Sequence, residues 1–219
     1  MFEICKLQQK QYRLLYTKVQ KKFIDNMPKL RGREWDSKRK LNYSLWQKGD
    51  GVEINKLKLY IKETLTQSQG EYCAYCGMKL DLTSEIQIEH IAPKGKGRYP
   101  NYMFHSSNLV LAFSLCNGFL KKERKENYDT IDRLDSKYEK SDFNIVHPYL
   151  DNPEDHLDLG DPQNKRITIK SKTIKGQKSI TVFKLDEEPQ TNGRWHHYIE
   201  FKYDYDPIFR ERFEACING

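Results

Sequence analysis

Between Cys73 and Lys122 the chain sets out Cys73-Ala74-Tyr75-Cys76, then Ile88-Glu89-His90-Ile91-Ala92-Pro93-Lys94, then Asn108-Leu109-Val110-Leu111-Ala112, then Cys116-Asn117 and two lysines. This ordered set constrains the fold more than any other stretch, because each part suits a separate chemical task. A Cys-x-x-Cys turn places two thiolates where one metal ion can take both. Imidazole titrates near neutral pH, which makes His90 the candidate to draw a proton from water. Glu89 and Asn117 offer a carboxylate and an amide oxygen, and hard cations such as Mg2+ or Mn2+ prefer such donors. Neighbouring side chains on a strand point to opposite faces, so Glu89 and His90 can serve one centre only where the strand ends or bends. Pro93 and the Gly95 to Gly97 loop make a bend there reasonable.

The rest of the chain frames this segment. Tyr12, Leu15, Val19 and Phe23 recur at helical spacing over residues 8–25, and Asn26-Met27-Pro28 ends the pattern. Ile54, Leu57, Ile61 and Leu65 predict a second helix over 52–67 that delivers the chain to Cys73. A short strand near Tyr72, a turn at Gly77 and a strand at Ile86 to Ile88 are expected next, with a further strand after Asn108 and a helix opening at Cys116 and Asn117. Beyond residue 126 the pattern predicts a helix near 127–139. Ile167-Thr168-Ile169 and Ile180-Thr181-Val182-Phe183 alternate with period two about Lys175-Gly176, which predicts a hairpin. Asp206-Pro207 then caps a final short helix through Phe213.

Charge is distributed in blocks. Residues 1–70 carry 16 Lys and Arg against 7 Asp and Glu, and residues 94–125 carry 7 against 1. Residues 126–163 reverse this with 11 acids against 3 bases, and residues 164–184 have 7 bases and no acid. Only the 94–125 block encloses the candidate site, so Lys94, Lys96 and Arg98 on one side and Lys121, Lys122, Arg124 and Lys125 on the other are read as grips on a phosphate backbone. With a mean hydropathy of −0.88 and no long apolar run, nothing in the chain is expected to cross a membrane. The opening residues lack the pattern of a secretory signal, and five cysteines suit a reducing compartment better than a disulfide framework, so the expected location is cytoplasmic.

The segment from residue 71 to 124 resembles the HNH, or ββα-metal, endonuclease family in its histidine, asparagine, asparagine form. His90 resembles the general base, Asn108 the middle asparagine, and Asn117 the last position. The resemblance implies an α+β fold with a ββα-metal core over residues 71–126, basic N-terminal helices over 1–70, and a C-terminal extension over 127–219 built of a β-hairpin plus helix. It implies that Asn108 ties a long loop to the hairpin and that Glu89 and Asn117 hold a catalytic Mg2+ or Mn2+. Many such proteins carry two Cys-x-x-Cys pairs on a structural zinc. Here Cys73, Cys76 and Cys116 stand at ligand positions, but the fourth is Phe113. Either three thiolates and an outside ligand such as His105, Cys5, Cys216 or water hold Zn2+, or the knuckle is apolar and holds none. The wider order of elements, including His147-Pro148-Tyr149-Leu150-Asp151, is similar to the HNH subunits of Septu-type and retron-associated anti-phage systems. In those systems the nuclease works with an ABC-type ATPase, within a retron complex in some cases.

The expected activity is therefore metal-dependent hydrolysis of phosphodiester bonds in nucleic acid, with DNA favoured over RNA. The alternative is a catalytically silent nucleic-acid-binding or interaction subunit on the same scaffold. A silent copy would be expected to lose one of His90, Glu89, Asn108 and Asn117, and a zinc-dependent binding module to keep its fourth cysteine. This chain does the reverse.

Overall fold

Leu57, Ile61 and Leu65 recur every fourth residue, and in the computed structural model they form the buried stripe of a helix. The structure describes residues 16–27, 29–32, 34–35, 54–70, 72–80, 86–95, 98–118, 129–160 and 167–218. Helix α1 spans Lys18–Asp25, opened by Thr17 and Gln20 in a reciprocal capping box. It stops at Asn26 as expected, and residues 8–15 of the expected helix lie outside the described residues. Val19 is exposed, whereas Phe23 packs against the core as expected, joined by Ile24 and Met27. Helix α2 spans Ile54–Gln69, and each aliphatic side chain it buries contributes about 2 kcal/mol.

Gln69 ends α2 and locks it to the next layer. Its amide donates to Tyr72 O and Leu111 O, each at 2.7 Å, and accepts from Leu111 N at 2.9 Å, so a side chain pairs with a strand as another backbone would. Gly70 then turns at φ +77°, a conformation that suits glycine. The following Cys73–Cys76 turn is closed by Cys73 N on Met78 O at 2.8 Å and by a bridge between Tyr72 and Lys79.

Strand β1, Gln87–His90, pairs antiparallel with β2, Leu109–Ala112, in the register Gln87 with Ala112 through His90 with Leu109. The connection between them carries 3-10 turns at Pro100–Tyr102 and Ser106–Asn108. Residues 114–118 are helical, so hairpin and helix follow each other in the expected order. All of β2 is buried, between α2 and the C-terminal half.

That half departs from expectation in two places. Residues 129–139 hold strand β3, Ile131–Arg133, where a helix was expected, paired with β4, Asp142–Phe143, through a bulge. The second departure removes the C-terminal hairpin. Residues Ile174–Phe183 form a helix, numbered here α4 after the short α3, Pro153–His156. Gly176, Ser179, Ile180 and Phe183 are buried at i, i+3, i+4 and i+7, with Val182 buried beside them, and this helical stripe overrides the period-two reading of Ile180 and Val182. Ser179 hid the stripe because it is polar, yet its hydroxyl accepts from Val146 N at 2.7 Å and donates to Lys175 O at 3.0 Å. Ile167 and Ile169 are buried, but the strand beside them is β6, Lys170–Ser171, and its partner is β5, Leu157–Asp158. Helix α5, Glu188–Tyr205, was not anticipated. Helix α6, Pro207–Asn218, starts at Asp206, whose carboxylate accepts from Phe209 N at 3.1 Å, and runs beyond Phe213. The molecule is thus α+β, with many helices and three two-stranded sheets among the described residues. No helix among them is long and apolar enough to cross a membrane.

Candidate functional site

Strand β1 ends on His90, and the backbone bends at Ile91 and Ala92, which meets the condition that Glu89 and His90 needed. Both side chains are buried. His90 Nε2 lies 3.0 Å from Met103 O. A carbonyl only accepts, so Nε2 carries the proton and Nδ1 is the basic nitrogen. Trp35 packs against the same ring at 4.5 Å, nearly perpendicular to it, and Lys58 Nζ lies over the outer indole at 5.1 Å. His90 is 3 % exposed, with Trp35 and Met103 O among its neighbours.

Gln87 and Glu89 share the other face of β1 by strand alternation. Asn117, from the helical residues 114–118, donates Nδ2 to Gln87 Oε1 at 2.5 Å. Its donor end is engaged by this bond, and its carbonyl oxygen is the end chemically suited to a hard cation. Asn117 thus meets the face of β1 that Gln87 shares with Glu89. Gln87 was not singled out in the sequence. Its signal was its place two residues before Glu89 on a strand.

Asn108 closes the loop between the strands. Its Oδ1 accepts from Ala92 N at 2.6 Å and from Tyr138 Oη at 2.8 Å, and its Nδ2 donates to Ala92 O at 3.1 Å and Tyr102 O at 2.9 Å. A carboxamide can make two donated and two accepted bonds, so this one is saturated. Behind it stands a chain that the sequence did not disclose. Tyr138 donates to Asn108, so its oxygen accepts from His147 Nε2 at 3.1 Å, and His147 Nδ1 accepts from Tyr149 N at 3.2 Å. Those roles require a neutral imidazole, and burial pushes His147 down to about 3.

Of the basic residues expected to grip phosphate, Arg98 is engaged with Asp129 at 2.8 Å, which also accepts from Tyr99 Oη at 2.9 Å. Lys94 is partly exposed on the loop after His90. Lys96, Lys121, Lys122, Arg124 and Lys125 lie outside the described residues, as does Cys5.

Cys73, Cys76 and Cys116 come together, fully buried, with their sulfurs within 4.8 Å of one another. Burial opposes ionisation of Cys73, but bonds from the Cys116 and Cys76 thiols and from Phe113 N, at 3.3 Å, outweigh it and hold its thiol well below the usual range. Three soft donors at this separation fit one zinc ion. Neither His105 nor Cys216 joins them: His105 stacks on Tyr138, and Cys216 is exposed on α6. Phe113 meets the cluster through its backbone N–H. From α5, Gln190 Nε2 donates to Cys116 Sγ at 3.3 Å.

Over 149 residues, 68 % of this chain and 48 % of the relative, the sequence is 30 % identical to Septu protein PtuB of Bacillus thuringiensis. The chain is a relative of the Septu and retron HNH-type proteins. A second Septu protein PtuB, from Bacillus mycoides, is 28 % identical over 151 residues, 61 % of this chain and 49 % of that protein. A Vibrio cholerae protein, named as the candidate HNH endonuclease of retron Vc95, is 39 % identical over 61 residues, 27 % of this chain and 29 % of its own length. The chain spans about half the length of the Septu relatives it matches. No protein-family model matches the chain, and no solved structure matches it.

Proposed function

We propose that this chain is a metal-dependent HNH endonuclease that hydrolyses phosphodiester bonds of nucleic acid, with DNA the favoured substrate, in a cytoplasmic anti-phage assembly. The observation that carries the reading is the Asn108 clamp, which holds Ala92 by both backbone groups and so fixes the turn that follows His90. In this reading β1 and β2 with the helical residues 114–118 are the ββα core. His90 is the general base, acting through Nδ1 while Met103 O holds the ring in one tautomer. Glu89 and Asn117 hold Mg2+ or Mn2+, and Gln87 orients the Asn117 amide so that its oxygen faces the ion. When bound, that ion supplies a Lewis acid for the phosphate oxygens. Lys94, Lys96, Lys121, Lys122 and Arg124 contact the backbone beside the scissile phosphate, and Arg98 braces the loop through Asp129 rather than binding substrate. The three cysteines hold a structural Zn2+. An ABC-type ATPase is the proposed partner, within a retron complex or a Septu pair.

One observation favours a second reading, a catalytically silent scaffold: His90 lies under Trp35 with little exposure. Single-turnover cleavage separates the two. Purified protein, alone and with its co-expressed partner, is incubated with plasmid, linear DNA and RNA in Mg2+ or Mn2+ and in EDTA. Wild type cuts only with the metal, and His90→Gln, which keeps an N–H donor for Met103 O, cuts about 100- to 10,000-fold more slowly. Cutting that ignores both the substitution and EDTA would refute the assignment, and binding without cutting would establish the scaffold.

A further inference from the structure

Helix α5 is anchored by an unusual set of side chains. Its buried residues are Gln190 and Arg194, one turn apart, and between them Gly193 passes so close to the cysteine turn that an added Cβ would stand 2.3 Å from Met78 Sδ. A helix held by apolar packing presents a hydrophobic stripe, whereas this one buries an amide that meets a thiol, a guanidinium that meets two backbone carbonyls, and between them a glycine against Met78. Both polar side chains are 0 % exposed. Gln190 Nε2 donates to Cys116 Sγ at 3.3 Å and Phe183 O at 3.2 Å, and Gln190 Oε1 is buried with no hydrogen-bond partner. Arg194 donates Nε to Ile167 O at 3.0 Å and Nη2 to Leu185 O, while Nη1 has no partner. Its hydrogen bonds therefore reach carbonyls rather than a carboxylate; burial pulls its pKa down, and the nearby Cys76, Cys116 and Asp186 work against that pull.

We propose that α5 completes the cysteine centre: the Gln190 carboxamide oxygen is the fourth ligand of a zinc ion held by Cys73, Cys76 and Cys116, and Arg194 is its counter-charge. The inference rests on reading the cluster as a zinc site. Two independent features point the same way. A buried amide oxygen without a hydrogen bond is costly unless it has a Lewis acid to bind, and Gln190 already touches Cys116. A buried guanidinium needs an anion, and one Zn2+ with three thiolates and a neutral fourth ligand leaves a single negative charge for Arg194 to match. A fourth thiolate would leave two. Phe113 thus removes one ligand and one charge together, and the replacements come from a helix far along the chain. The terminal amide turns about one single bond, so zinc draws the oxygen toward the sulfurs, and the Nε2 bonds to Cys116 Sγ and Phe183 O are given up for it.

The test is zinc affinity of the full-length protein, read by competition with a chromophoric chelator, together with the visible spectrum of the Co2+-substituted form. Wild type takes up one ion per chain. Gln190→Leu, with folding checked by circular dichroism, binds zinc about 10- to 100-fold more weakly. Its cobalt ligand-field bands shift while the thiolate charge-transfer bands persist. Gln190→His supplies a neutral donor in its place and restores tight binding. Unchanged affinity and spectrum in Gln190→Leu, or a loss that Gln190→His does not restore, would reduce Gln190 to packing and overturn the inference while leaving the zinc site standing. Failure of wild type to take up zinc or cobalt would overturn the cluster reading as well. Neither readout involves cleavage, so the nuclease reading of His90 stands or falls separately.

Discussion

Asn108 shows how one residue can decide the course of a long loop. Three of its four hydrogen bonds are fully buried, and removing the side chain strands both backbone groups of Ala92 and the hydroxyl of Tyr138. Asn108→Ala is therefore expected to lower stability by about 3–5 kcal/mol, measured by denaturant unfolding, and to lower activity with it because the turn after His90 loses its tie. An unchanged midpoint would show that the clamp is dispensable. His147 adds a pH dependence. Its folded pKa of about 3 lies below the ordinary histidine value, so the unfolded chain binds the proton first as pH falls. Its contribution is complete above about pH 6.5 and is lost on acidification toward 3, with a slope of up to about 1.4 kcal/mol per pH unit. Unfolding curves from pH 7 to 4 for wild type and His147→Gln should differ in slope, and parallel curves would disprove the assignment.

Among the elements, α2 was legible and α4 and α5 were not, for reasons written in their side chains. Leu57, Ile61 and Leu65 make a plain apolar stripe. Helix α4 interrupts its stripe with Gly176 and Ser179, both required by the neighbour it packs on. A Cβ at Gly176 would stand 2.0 Å from His156 O, so the helix can approach α3 only because no side chain is there. Gly176→Ala would raise intrinsic helix propensity by about 1 kcal/mol, yet it is expected to destabilise the protein by roughly 2–3 kcal/mol or more. A higher melting temperature in that variant would show that α4 does not sit against α3 as described. Helix α5 buries polar groups, and hydrophobic periodicity cannot register them.

At the scale of the whole molecule, buried residues from Trp35 through α2, the cysteine turn, the β1–β2 hairpin and the C-terminal half form one hydrophobic cluster. Ile180, Val182 and Phe183 of α4 are spent on this core. The proposed partner is sought at the basic first 70 residues and at the exposed face of residues 167–184. Co-expression with the neighbouring genes and native mass spectrometry should give a stable complex burying at least about 1,000 Å². A protein that elutes alone and cuts robustly without partner or nucleotide would sink that expectation. The sequence by itself determined which residues could do chemistry and where the local elements around them begin, because a cysteine pair, a strand of alternating faces and a capped helix are short-range patterns. Tertiary structure decided the rest: that Gln69 pairs with β2, that Tyr138 and His147 stand behind Asn108, and that Gln190 reaches Cys116. Those contacts join residues 30 to 74 positions apart, or depend on polar groups becoming buried, and no local spacing encodes either.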